Sequence, residues 1–76
     1  MAAEISKRKQ RVENLITAFH NLEEQYIELA ADAQEHSETQ LAIMFCMAAD
    51  QYHKKASDLQ KTLDTVMRIR RVLQEP

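Results

Sequence analysis

Apolar residues recur along this chain at alternating intervals of three and four. In the first half Val12, Leu15, Phe19, Leu22, Tyr26, Leu29 and Ala33 keep that alternation without a break. Such spacing is an a/d heptad seam on one face of a helix. Ile5 extends it backwards by one heptad. Ile16, Ile27 and Ala30 lie beside the seam and widen it, as in a bundle helix. In the second half Leu41, Phe45, Ala48, Tyr52, Ala56, Leu59, Leu63, Val66, Ile69 and Leu73 lie three or four apart. The pattern predicts two long helices, about 4–34 and 38–74.

Residues 34–40, Gln-Glu-His-Ser-Glu-Thr-Gln, interrupt the pattern. Ser37 followed three positions later by Gln40 has the spacing of a capping box, which would start the second helix. Glu38 would then fall in the first turn, where the helix dipole favours negative charge. The turn is expected at 34–37, with a left-handed residue at Gln34, Glu35 or His36. Folding back there makes facing positions sum to about 74, as in Leu29 with Phe45 or Phe19 with Ala56. The expected fold is an all-α antiparallel helical hairpin, a single domain spanning 1–76, dimerising into a four-helix bundle. A three-helix bundle is the alternative, because Ser57 and Gln60 repeat the box spacing after Lys54 and Lys55, placing a break near 56–57.

Composition agrees with long helices. The chain of 76 residues has no glycine, and its single proline is Pro76. Gly-rich phosphate loops are therefore excluded, and multi-turn β architectures are disfavoured. A domain this small buries a limited share of its surface and calls for reinforcement. Cys46 is the only cysteine, so no disulfide can form within the chain. Self-association or a partner is the expected source of stability, in a reducing, cytoplasmic setting. The longest apolar run, Leu41–Ala49, falls far short of the roughly 20 residues a membrane span needs. No secretory signal is expected, and Met1 followed closely by helix suggests a whole protein.

Charge is segregated. Residues 1–11 and 61–76 carry eight basic and three acidic groups, net +5, whereas residues 12–60 carry two basic and nine acidic groups, net −7. In a hairpin the termini lie together, so the expected shape is a rod with a basic open end and an acidic turn. Lys7, Arg8, Lys9, Arg11, Arg68, Arg70 and Arg71 form the basic tip. The tip suits an acidic partner, a nucleic acid or an anionic surface, and it also reads as a solvated helix end whose cations favour the dipole. No aromatic residue interleaves the cluster and the net charge is −2, so nucleic acid is not the expected partner.

Candidate chemistry is sparse. Asp50-Gln-Tyr-His53 copies the carboxylate-x-x-His spacing of metal-binding bundles, and the register brings His20 towards His53. Both histidines follow a seam residue and should point to the flank, so no metal site and no cofactor is expected. Cys46, within the apolar run, reads as a small buried hydrophobe. Two thin helices offer little concave volume for a substrate, so no catalytic residue is assigned and no enzyme is expected. The second helix is apolar on almost every side from 41 to 49. Leu41, Ile43, Met44 and Met47, with Ile16 and Ile27 across the hairpin, are the candidate partner interface.

The expected function is a non-enzymatic protein-interaction module, an adaptor or small chaperone-like hairpin, with a protein partner or a homodimer on its apolar face. In size and helical-hairpin architecture only, the chain looks like the small type III secretion chaperones, and a chaperone of that kind is an alternative reading. A nucleic-acid-binding regulatory dimer using the basic tip is a further alternative.

Overall fold

The computed structural model describes the backbone of residues 2–74 and the side chains of residues 7–74. Ile5 of the first seam, and Glu4 and Glu75 of the charge count, lie outside the described side chains. Two helices make up the fold: α1 (Ala2–Glu35) and α2 (Thr39–Gln74). They pack antiparallel into a rod of 61 × 19 × 11 Å. The hairpin and its two long helices are as the periodicity predicts. α2 runs unbroken through Ser57, so the three-helix alternative does not occur.

The turn departs from expectation in an instructive way. Ser37 has φ 61°, the left-handed region. The Glu38 N–H donates to the Ala33 carbonyl (2.8 Å) and the Ser37 N–H to the Gln34 carbonyl (3.1 Å). These are the two bonds of a Schellman motif, with serine in the place usually held by glycine. An N-cap residue needs extended backbone, so Ser37 cannot also cap α2, and the expected capping box is not formed. Glu38 takes the cap position instead, its carbonyl accepting the Ala42 N–H at 3.0 Å. It therefore precedes the first turn of α2, which holds no acidic residue. The His36 Nδ1–H donates to the Asp32 carbonyl (2.8 Å), which also accepts the His36 backbone N–H (3.2 Å).

The helices meet along a seam rotated from the expected one. On α1 the buried residues are Ile16, Ala30 and Ala33; on α2 they are Ala42, Ala49 and Ala56. Leu15 and Leu29, expected in the seam, are 46% and 45% exposed. The alanines explain the rotation. Ala42, Ala49 and Ala56 are seven apart and form one small-residue line down α2. A methyl group on that line lets the backbones approach closely, whereas larger side chains there would hold them apart. The facing positions nevertheless keep the expected sum near 74, with Phe19 against Tyr52 and Glu23 against His53.

Candidate interaction surface

The alanine line leaves the larger side chains along its two edges. One edge is aromatic. Phe19 lies 5.9 Å from Tyr52 between ring centroids, Tyr52 stacks on Tyr26 at 5.6 Å, and Tyr26 reaches Phe45 at 6.0 Å. All four aromatic residues of the chain thus form one ladder across the hairpin, each half-buried. The Lys55 ammonium sits 5.4 Å from the Tyr52 ring centroid and 6.0 Å from that of Phe19. This cation is held by the negative faces of the rings.

The other edge is polar. Glu23, its side chain only 21% exposed, is met by His53 from α2 at 3.1 Å and by His20 from its own helix at 3.4 Å. His20 and His53 therefore approach each other through a carboxylate that both can hydrogen-bond. Asp50 turns away to Lys54 at 3.0 Å, so it does not join His53 as the spacing suggested. Among the described residues no group of three His, Cys, Asp or Glu side chains could hold a metal ion.

The aromatic edge continues outward into a leucine stripe. Leu15 lies four residues before Phe19, Leu22 four before Tyr26, and Leu29 three after Tyr26. Residues three or four apart share a helix face, so the leucines flank the ladder. On α2 Leu41 precedes Phe45 by four and Ile69 follows Val66 by three. Leu15, Leu29, Leu41, Val66 and Ile69 are all exposed, and Leu22 is half-buried. The result is an apolar face along much of the rod.

Beyond Leu59 a groove lies between the helices. It holds about 260 Å³ between Val12 on α1 and Leu59, Leu63, Val66 and Met67 on α2. Arg8, Lys9 and Arg70 line its rim. Of the expected basic tip, Arg8, Lys9 and Arg70 line this groove; Lys7, Arg8, Lys9, Arg11, Arg68 and Arg71 are exposed and Arg70 is half-buried. Lys9 also pairs with Glu13 at 3.8 Å.

Of the expected interface residues, Ile27, Leu41, Ile43, Met44 and Met47 are exposed. Ile16 is not: only 6% of it is accessible, because the seam passes through it rather than through Leu15. Cys46 is exposed, not buried, since the seam runs through Ala42, Phe45 and Ala49 and leaves it outside. The ladder does have a signal in the sequence. Phe19 and Tyr26 are seven apart, as are Phe45 and Tyr52, and the hairpin register sets the two pairs opposite each other. No helix among the described residues is long and apolar enough to cross a membrane. No family model, curated protein or solved structure matches this chain.

Proposed function

We propose that the chain is a non-enzymatic protein-interaction module, adaptor or chaperone-like, that docks helices on its aromatic and leucine face. The uncovered area carries this reading. The chain exposes 6296 Å², whereas a compact protein of 8.8 kDa exposes about 4,800 Å². The excess of about 1,500 Å² exceeds the roughly 800 Å² that one partner contributes to a stable interface. Leu15, Leu29, Leu41, Val66 and Ile69 stand exposed along this face, and an exposed apolar face is the usual mark of a docking site. The face is elongated, ridged at intervals of one helical turn and set between two helices, a shape that takes a third or fourth amphipathic helix. The rings lie towards the turn and the cations at the open end. The rings pack on one another and against Lys55, and the net charge is −2, which favours protein over nucleic acid.

A photo-cross-linking side chain at Leu29 tests the face, with the same group at Glu24 on the charged surface as control. In cells expressing the chain, Leu29 is expected to yield discrete protein adducts and Glu24 none. Equal labelling at both positions, or none at Leu29, would refute the reading.

A further inference from the structure

We propose that the occupant of this face is a second copy of the chain, laid antiparallel so that the acidic turn of each copy covers the basic groove of the other. The inference rests on the docking reading above and specifies its partner and geometry.

The two ends of the rod are complementary in charge and in apolar shape. No lysine or arginine occurs between Arg11 and Lys54, and the turn end carries Glu28, Asp32, Glu35 and Glu38. Leu41 and Met44 stand exposed beside those acids. The groove at the other end offers an apolar floor with Arg8, Lys9 and Arg70 around it. An apolar plug beside carboxylates fits an apolar groove beside guanidinium groups, and a second copy brings that plug.

Orientation follows from the same charges. Two hairpins can stack face to face with their turns together or with their turns opposed. With turns together, the basic tip of one copy lies on the basic tip of the other, and acids lie on acids. With turns opposed, the basic tip of each copy lies on the acidic turn of the other. The leucine stripe allows the opposed arrangement. Arg8, Leu15, Leu22, Leu29 and His36 are spaced by seven, so the stripe is centred on Leu22. A two-fold axis crossing the hairpin at Leu22 sets Leu15 on Leu29 of the second copy and Arg8 at the level of its His36, next to Glu35. Facing positions in the hairpin sum to about 74, so the same axis crosses α2 at Tyr52. It then sets Phe45 on Leu59 and Leu41 on Leu63 of the second copy. Both helices thus meet their symmetry mates under one axis, and a two-fold closes the assembly as a dimer.

The test uses the full chain with Cys46→Ser and a nitroxide on Gln40→Cys. Twelve residues separate positions 40 and 52, so opposed turns place the two labels about 36 Å apart at 1.5 Å per residue. With turns together they fall within about 20 Å, the width of two stacked helical layers. A dipolar distance near 36 Å, with ready oxidation of Leu22→Cys to a covalent dimer, is the expected result. A short distance between labels would overturn the antiparallel arrangement. No intermolecular distance at 100 µM would overturn the dimer altogether, while the Leu29 cross-linking pattern would still decide the docking reading on its own. Charge reversal gives a second readout that does not depend on labels. Arg8→Glu with Arg70→Glu is expected to weaken self-association at least tenfold, and mixing that variant with Glu35→Lys/Glu38→Lys to restore it. Failure of that rescue would also count against the paired ends.

Discussion

The turn half and the open half of this rod share one seam and are built differently. In the turn half the α2 seam positions are Ala42, Ala49 and Ala56, and the ladder of rings seals one edge. In the open half the same heptad position is Leu63 and then Arg70. Larger side chains stand there, and the groove lies beside them between the helices. Among the described residues, five of the six buried ones are alanines on or beside the turn-half seam. A small residue repeated every seventh position draws two helices together, and changing it to a large one opens a cleft in which charge can collect. One sequence period thus produces a closed scaffold at one end and a receptive surface at the other.

The largest effect should come from breaking the ladder. Tyr52 touches two rings and carries part of Lys55, so Tyr52→Ala is expected to cost about 2–3 kcal/mol. Urea unfolding at a fixed chain concentration measures this, and a cost below about 1 kcal/mol would remove the ladder from the account of stability. Next is Ala56→Leu, which puts a large side chain on the closest line of approach, where Ala56 has no accessible surface. Overpacking there should cost about 2 kcal/mol, whereas enlarging a residue in the open half, Thr62→Leu at the groove, should cost well under 1 kcal/mol. Equal costs at the two sites would mean that the halves are packed alike. Ser37→Gly should act in the opposite direction. Glycine reaches the left-handed region without the serine Cβ clash, so a gain of about 1 kcal/mol is expected, provided the motif persists. A rise in melting temperature checks it, and a fall would show that the turn depends on serine.

The smallest effect concerns the polar edge. Glu23→Gln keeps the shape and removes the charge opposite His53 and His20. The histidine partners are more than half exposed, so a change within about 0.5 kcal/mol is expected. Amide exchange compares the halves directly. Residues 42–56 are expected to exchange more slowly than residues 63–73, because opening is cheaper where fewer apolar contacts close the seam.

Much of this architecture was legible in the sequence. Alternating intervals of three and four admit only helix, and the break at 34–40 places the fold-back within a few residues. The hairpin register followed from that one break, since chain length on either side is fixed at 1.5 Å per residue. The groove was hidden for a reason of volume. A period shows which positions line a face but not how closely two faces approach. Ser37 is ambiguous for a related reason: the same residue suits a helix start through its side chain and can tolerate a helix end through its backbone. The choice depended on α1 running one residue further than expected.

By itself, then, the sequence determined two helices, one turn, the register between them and a charge that divides the rod into unlike ends. These depend on spacing and on the intrinsic geometry of a single helix. Tertiary structure decided which of two adjacent apolar lines became the seam. Val12, Leu15, Phe19 and Val12, Ile16, Phe19 are both apolar paths along α1. The alanines of α2 selected the second, because packing energy rises with close contact and only the narrow line permits it. That rotation buried Ile16, exposed Leu15 and Leu29, and turned a row of core leucines into the surface on which the chain is proposed to bind its own copy.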